Sequence, residues 1–474
     1  MLILKVKNGK KILEKTAQLA SQLKMEVFTV GGFVRDLYLG QEGTDIDFVV
    51  LGDAMEFAQA FQKQFRSGKV VTYPRFGTAM LHYRDYKLEF VTARSEHYDS
   101  RSRKPRVKKA DLQSDLTRRD FTINTLALDI TPAHFGRLIN LLHGQEDIDS
   151  KIIKTPLDPA VTFSDDPLRI LRAIRFATVL DFQIESNTYQ AILDTRQRLE
   201  IISQERITEE LRRMLLADQP SRGIYLMKET GILDIILPEL TLLAGVDQRQ
   251  DFHHKDVFDH TLQVLDNISP KTDSFELRMA ALLHDIAKPQ TKRFVENIGW
   301  TFHGHEDLGA RIVGEIGKRM RLPLISIKYL QKLVRLHLRP MQLVDDSVTD
   351  SALRRLMVEA GAELEDLMLL CRADITSKNP LKVKRYLTNF DHVEKKMKEV
   401  EERDKLREFK LAIDGNVIMK TLDIQPGPTV GKIKDAIFNA VMEGLIPNQE
   451  EACFQYMLTI KDDYLKEIKK IDSE

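Results

Sequence analysis

Near residue 145 the hydrophobic period of this chain changes, and that change constrains its fold more than any other feature. Before it, short apolar runs alternate with helical stretches. "EVFTV" reads as a strand, "FVRDLYLG" as a short helix ended by Gly40, and "DIDFVVL" as a strand. "DAMEFAQAFQKQF" reads as a helix with Asp53 as its N-cap. "KVVTY", "GTAMLHY" and "KLEFVTA" follow closely as strands, so part of the sheet is expected to be antiparallel. After residue 145 strand signals almost vanish. "DDPLRILRAIRFATVL", "SQERITEELRRMLLA", "PSRGIYLMKETGIL", "FELRMAALLHDIAK", "LGARIVGEIGKRM" and the charged segment 381–410 are helical in period. The expected fold class is α+β: a small mixed-sheet head on an elongated all-helical body. At 474 residues the chain exceeds one ordinary core. The least structured stretch is 98–117, "YDSRSRKPRVKKADLQSDLT"; it reads as a mobile basic loop.

Lys+Arg and Asp+Glu are equal at 71 each, so any surface for nucleic acid must be locally rather than globally basic. Cys371 and Cys453 stand far apart and fit no disulfide framework, which points to a reducing compartment, the cytoplasm. The N-terminus has lysines throughout and no signal-peptide core. No stretch reaches 18 uncharged apolar residues, so no membrane span is expected.

"GGFVRDLYLGQEGTDIDFVV" (31–50) carries the first chemistry. Side chains alternate along a strand, so Asp45 and Asp47 share a face while Ile46 enters the core. Two adjacent carboxylates repel unless a cation offsets them, and Mg²⁺ is a hard, oxygen-seeking ion held in this way beside phosphates. Glu89 in "KLEFV" supplies a third acid on a neighbouring strand. Alone, an Asp-x-Asp at a strand start is an ordinary solvated pair. Gly31 and Gly32 between a strand and a helix let the backbone approach a ligand and offer phosphate a helix N-terminus. Arg35 adds a cation for a triphosphate. The combination resembles the nucleotidyltransferase superfamily of polymerase β.

In "SDDPLRILRAIRF", Ser164 or Asp165 is the expected N-cap, with Pro167 in the first turn. Asp166, Arg169, Arg172 and Arg175 recur every three residues and form a drifting stripe. A carboxylate only accepts and a guanidinium only donates. Asp166 could therefore accept from an exocyclic amine while Arg169 donates to a ring nitrogen. Cytosine and adenine fit that pair. Uracil and guanine leave buried polar groups unpaired.

"GGFVRD…DIDFVV", "RRDFTINTLALDI", "DDPLRILRAIRF" and "ERITEELRRML" together resemble the class II CCA-adding tRNA nucleotidyltransferases, with bacterial poly(A) polymerases as close relatives. The resemblance covers about the first 220 residues. It implies a polymerase β-like nucleotidyltransferase head in which Asp45, Asp47 and Glu89 are catalytic and Asp45 and Asp47 hold Mg²⁺. It places Gly32 and Arg35 at the triphosphate, with Gly31 and Asp36 also nucleotide-binding, and Arg119, Asp120 and Asn124 on the sugar and phosphate side. Asp166 and Arg169 would read the base, assisted by Arg172 and Arg175, and residues 205–211 would brace the neck. Loop 98–117 stands where such enzymes carry the flexible loop used in the switch to adenine. Asp165 departs from the Glu usual there.

Seven of the twelve histidines fall between 253 and 337. His260, His284, Asp285, His305, His337 and Asp374 follow a His…His-Asp…Asp order that resembles the HD phosphohydrolase superfamily. Imidazole with carboxylate suits a second metal, Mn, Fe, Ni, Co or Zn, better than Mg alone. "AIDGNVIMKTLDIQPGPTVGKIKDAIFNAVMEGLIPNQEEA" resembles the tRNA-binding tail of CCA-adding enzymes, with Pro426, Gly427 and Pro428 as a stiff turn before a helix starting near Thr429. The implied domains are a head at 1–145, a base-recognition and RNA-binding neck at 146–240, an HD-like domain at 250–376 and a tail at 377–474. The implied activity is template-independent addition or repair of the tRNA 3′-terminal CCA from CTP and ATP, by a monomer or homodimer. Alternatives are a poly(A) polymerase, a CC- or A-adding enzyme, and, from a different class, a metal-dependent phosphohydrolase with a nucleotide-binding head. A non-catalytic RNA-binding protein fits poorly, because three acids facing RNA make sense only with metal.

Overall fold

The computed structural model describes residues 9–99, 102–246, 256–297, 299–343, 349–376, 379–404 and 409–471. The chain divides into two compact units, Met1–Pro238 and Glu239–Glu474.

The strands of the first unit are β1 (Glu26–Val30), β2 (Asp45–Leu51), β3 (Val71–Tyr73), β4 (Thr78–Tyr83), β5 (Tyr86–Thr92), β6 (Arg94–Asp99), β7 (Ser102–Lys109), β8 (Ala127–Asp129) and β9 (Arg137–Ile139), with a separate two-residue parallel pair, Ile152–Ile153 and Gln183–Ile184. Seven form one sheet in the order β3-β4-β5-β2-β1-β8-β9. Its parallel pair is β2 with β5, and every other pairing is antiparallel. Along β2, Ile46, Phe48 and Val50 are fully buried. Phe48 stacks on Phe90 with ring centroids 5.0 Å apart, and Phe57 and Phe61 of the helix Ala54–Phe65 close over them. Each buried aromatic contributes about 2 kcal/mol of burial free energy. The Asp53 carboxylate caps this helix, accepting from Met55 N at 2.9 Å and Glu56 N at 3.1 Å. The opposite face of β2 carries Asp45 and Asp47 and then Val49, which joins a second cluster with Phe28, Val30, Ala93, Leu116 and Ala127.

Three expectations change here. β8 and β9 extend the sheet beyond the strands read from the sequence; Ala127, Leu128 and Asp129 are all buried, so no alternation marks them. The stretch 98–117 is not an irregular loop: β6 and β7 form an antiparallel hairpin, followed by the helix Leu112–Thr117. A two-stranded ribbon outside the main sheet needs no apolar period of its own, so its basic sequence hides it. Ser100 and Arg101 at its turn lie outside the described residues. Ser164 and Asp165 end the helix Pro159–Asp165, and the next helix is Leu168–Val179. Asp166 is the extended break between them (φ −139°, ψ 99°), and its Oδ1 accepts from Leu168 N at 3.1 Å. It therefore does the capping expected of its neighbours.

The second unit is mostly helical, including Val257–Ile268, Phe275–Leu283, His305–Arg319, Leu324–Leu336, Leu364–Asp374 and Pro380–Asp404. A short hairpin, Arg293–Val295 with Gly299–Thr301, lies between two segments whose sequence reads as helical. Of the charged segment 381–410, residues 405–408 lie outside the described residues. The helices Gly415–Leu422, Pro428–Met442 and Glu450–Ile471 enclose their own core of Ile413, Ile418, Val430, Ile433, Ile437, Cys453 and Met457. Gly427 is extended, and Pro428 opens its helix. Among the described residues no helix is long and apolar enough to cross a membrane.

Candidate active site

Parallel pairing of β2 with β5 sets Asp47 opposite Glu89 and Asp45 opposite Lys87. Glu89 lies between fully buried Leu88 and Phe90, so it must share the face of Asp47. Burial first, and then the Glu89 charge, push the Asp47 carboxyl from its ordinary 3.8 up to about 6. A divalent cation would offset both the burial of that charge and the repulsion from Glu89, and the oxygen-only donor set fits a hard ion.

β1 delivers the chain to Gly31, whose φ of +74° favours glycine. A Cβ there would meet Arg119 Nη1 at 2.8 Å and Asp47 Oδ2 at 3.7 Å. Gly31 therefore keeps the arginine and the carboxylates on one surface, at the start of the helix Gly32–Tyr38. Arg119 is held by Asp115 Oδ2 at 3.1 Å, and its Nε is buried without a hydrogen-bond partner. Asp115 itself is fully buried; burial would raise its pKa, but Arg119 and Arg118 hold it below the usual carboxylate range.

A continuous network crosses from sheet to helices. Arg35 pairs with Asp36 at 2.7 Å and donates to Asn124 Oδ1 at 2.7 Å. Asn124 Nδ2 donates to Asp120 Oδ1 at 3.0 Å. Arg172 grips Asp120 Oδ2 at 2.6 Å, and Glu210 bridges Arg172 at 3.6 Å and Arg175 at 2.5 Å. Burial would raise Asp120, but Arg172 and Asn124 hold it far below the ordinary range. Burial lowers Arg175 to about 10, a drop that Glu210 limits. Three guanidinium carbons, of Arg35, Arg172 and Arg175, lie 5.0, 5.4 and 4.0 Å from the Phe176 ring centroid. Arg172 and Arg175 are thus engaged with acids that tie three segments together. Asp166 Oδ2 accepts from Arg206 at 2.8 Å, and Arg169 donates to the carbonyl of Arg118 at 2.9 Å.

The residues expected from the sequence line one cleft of about 830 Å³: Gly31, Gly32, Arg35, Asp36, Asp45, Asp47, Glu89, Arg119, Asp120, Asn124, Asp166, Arg169, Arg172 and Arg175. Arg118, Arg206 and Arg213 line it as well. Sequence reasoning did not single out Asp115, Arg206 or Arg213 as site residues. Their signal was spacing: Asp115 stands three and four residues before Arg118 and Arg119, and Arg206, Glu210 and Arg213 repeat at helical intervals on one face.

The second unit gathers all six residues of its expected set. Asp285 is central. Its Oδ2 lies 3.2 Å from His284 Nε2 and 3.5 Å from His260 Nε2; its Oδ1 lies 3.3 Å from His305 Nε2 and 3.7 Å from His337 Nε2. Asp374 Oδ1 completes the first side, 2.9 Å from His260 Nε2. Each outer ring nitrogen is anchored. His284, His305 and His337 Nδ1 donate to the carbonyls of Ala281, Phe302 and Val334, and His260 Nδ1 pairs with Thr376 Oγ1 at 2.9 Å. That anchoring turns every Nε2 inward, the arrangement of metal-ligating histidines. Two ligand triads result, His260–His284–Asp285 and Asp285–His305–His337, both buried. His284 Nε2 and Asp285 Oδ2 make close charged contacts but no directed hydrogen bond, as expected of atoms aimed at a metal. Burial would lower His284, but Asp285 raises it to about 9; burial and the His284 charge lower His337 to about 3.

The sequence profile of the Poly A polymerase head domain matches residues 27–154. That of a probable RNA and SrmB-binding site of polymerase A matches 181–243, and that of the HD domain matches 257–379. The A-adding tRNA nucleotidyltransferase of Deinococcus radiodurans is 33% identical over 72% of this chain and 78% of its own length. The CC-adding tRNA nucleotidyltransferase of Thermus thermophilus is 30% identical over 90% of this chain and 92% of its own. Bacillus stearothermophilus CCA-adding enzyme, solved in complex with CTP, shares the fold with a TM-score of 0.68 at 20% identity, over 98% of this chain and 100% of that one. A nucleotidyltransferase cleft, a helical continuation and relatives matched over most of their length agree: the chain belongs to the CCA-adding tRNA nucleotidyltransferase family.

Proposed function

We propose that this chain adds or restores the 3′-terminal CCA of tRNA from CTP and ATP without a nucleic-acid template. The supporting observation is that the acids of β2 and β5 share one cleft with the Asp166–Arg169 pair. Asp45, Asp47 and Glu89 would hold Mg²⁺, which supplies charge neutralisation for the triphosphate and the departing pyrophosphate. Gly31 and Gly32 let the phosphates approach the backbone, and Arg119 offers them a fixed cation. Asp166 accepts from the exocyclic amine of cytosine or adenine while Arg169 donates to the adjacent ring nitrogen. The RNA 3′-hydroxyl attacks the α-phosphorus and pyrophosphate leaves. The proposed division of labour is a head at 1–145, an RNA-binding neck at 146–240, an HD-like domain at 250–376 and a tRNA-binding tail at 377–474. RNA would be held by backbone contacts and shape rather than by base sequence.

The experiment is incubation of the purified protein with tRNA lacking CCA and with CTP, ATP or both. CC addition from CTP and completion by ATP are expected. Incorporation of neither nucleotide removes the reading. CTP alone, or ATP only onto tRNA ending in CC, assigns the chain to a partial activity of the kind named for its relatives.

A second activity is supported by the histidine–aspartate cluster. Its two triads, bridged by Asp285, are suited to a pair of transition-metal ions rather than the single second metal expected from the sequence. Such a centre supplies chemistry for hydrolysis of phosphate esters.

A further inference from the structure

Strand register carries the cleft face of the head sheet beyond its acids. Asp47 on β2 stands beside Glu89 on β5, Glu89 opposite Met80 on β4, and Met80 opposite Val71 on β3. Directly paired residues point to the same face of a sheet, so these four form one row. A second row runs through Asp45, Lys87 and His82, and a third through Val91, Thr78 and Tyr73. The opposite face is closed by the helix Ala54–Phe65. This face is open toward its edge: Val71 is 41% and Tyr73 45% exposed, and His82 is exposed as well. Lys87 is half-buried, and its charge is close enough to oppose the rise that burial and Glu89 impose on Asp47.

The two flanks of Asp47 differ in chemistry. On the β1 side lie Gly31 and Arg119, which suit a triphosphate. On the β5 side lie Glu89, Lys87 and the open rows. In an in-line displacement the attacking and leaving oxygens stand on opposite sides of the phosphorus. Pyrophosphate leaving toward Gly31 and Arg119 therefore requires the attacking hydroxyl to arrive over β5. We propose that the β5–β4–β3 face seats the 3′ end of the RNA, an inference that rests on the cleft being a nucleotidyl-transfer site. Lys87 takes the phosphodiester preceding the terminal nucleotide, and Tyr73, at the sheet edge, stacks on a base farther back. An ammonium group suits any phosphate and an exposed ring accepts any base, so the seat holds an RNA end without reading its sequence. A counter-charge role for Lys87 alone accounts for its place beside the acids, but not for an exposed tyrosine continuing the same face.

The full-length protein with Mg²⁺ is irradiated with tRNA that lacks CCA and ends in 4-thiouridine. Crosslinks are expected within residues 71–89, and crosslinks confined to other residues overturn the seat. No turnover is needed, so this result is read whether or not the wild type incorporates CTP or ATP, and failure of the seat is told apart from failure of the transferase reading. With tRNA and CTP then titrated separately, Lys87→Gln is expected to raise KM for tRNA about tenfold and to leave KM for CTP within about twofold. The slope of log KM for tRNA against log salt should fall by about one, as one phosphate contact is lost. Tyr73→Ala is expected to raise KM for tRNA about fivefold, and Tyr73→Phe, which keeps the ring, to recover the wild-type value. Both KM values rising together in Lys87→Gln, or a fall in kcat alone, makes the lysine a counter-charge for the acids and overturns its phosphate role. A KM for tRNA unchanged in both Lys87→Gln and Tyr73→Ala overturns the seat as a whole.

Discussion

The cleft of the first unit and the cluster of the second solve opposite problems with overlapping chemistry. In the cleft, Asp45 is exposed, Asp47 half-buried, and Arg172 is held between two acids, Asp120 and Glu210. In the cluster, every ligand side chain is at most 14% exposed, and three of the four rings are fixed by backbone carbonyls. The first can admit a large anion and release it each turnover. The second suits a resident ion, since leaving its charges buried without one would be costly. What separates them is therefore exchange against retention.

Asp47→Ala tests that separation with the largest expected effect. CTP incorporation should fall at least about a thousandfold, the loss of several kcal/mol of charge stabilisation. Co²⁺ uptake by the second unit, measured by calorimetry, should not change. A parallel loss of Co²⁺ uptake would show that the sites are not independent. The reciprocal variant is Asp285→Ala. Replacing an outer partner of a ligand costs about 10–100-fold in metal affinity, so removing the bridging carboxylate should cost more than about a hundredfold. Incorporation of CTP should stay within about twofold.

The same contrast explains what was legible in the sequence. The cleft is written in contiguous motifs: Gly31 to Asp47 sit on adjacent elements, and the alternation of Leu88, Glu89 and Phe90 marks the third acid. The cluster's ligands run from His260 to Asp374, yet the His284–Asp285 step and a run of histidines on apolar helices identified them. What escaped was whatever depends on partners distant in sequence. Nothing local says that Arg172 belongs to Asp120 or that Arg206 belongs to Asp166. β8 is buried on both faces and so lost its period, while the ribbon of β6 and β7 never needed one. The hairpin carrying Phe294 and Trp300 is three residues per strand, too short for alternation to register.

Arg206 sharpens the cleft side of the comparison. Its Nη2 donates to the same Asp166 oxygen that would accept the base amine, while Asp166 Oδ1 is fixed by Leu168 N. Each carboxylate oxygen accepts two hydrogen bonds, so the arginine can aim Asp166 without displacing the base. In parallel kcat/KM measurements with CTP and UTP, Arg206→Ala should lower discrimination about tenfold while kcat for CTP is kept. Arg206→Lys should recover part of it. Asp166→Ala should lower discrimination further. If it does not, Asp166 is not the base reader, whatever Arg206 does.

The smallest effect concerns stability. The folded protein raises Asp47 from 3.8 to about 6, so folding favours the protonated form. The contribution is fully present below pH 3.8 and is lost as pH rises through about 6. Asp47→Asn removes that loss. Its metal-free melting temperature should match wild type near pH 4 and exceed it by a few degrees above pH 7, reflecting about 1–2 kcal/mol after allowance for partial exposure. Mg²⁺ should narrow the gap by stabilising only the wild type, since an amide is a poorer ligand for a hard cation. A gap independent of pH would mean that the substituted amide improves packing instead, and that the three acids are not under mutual repulsion. No comparable gain is expected for Asp285→Asn, because His284 and Lys288 already hold Asp285 ionised well below its ordinary range against the effect of burial.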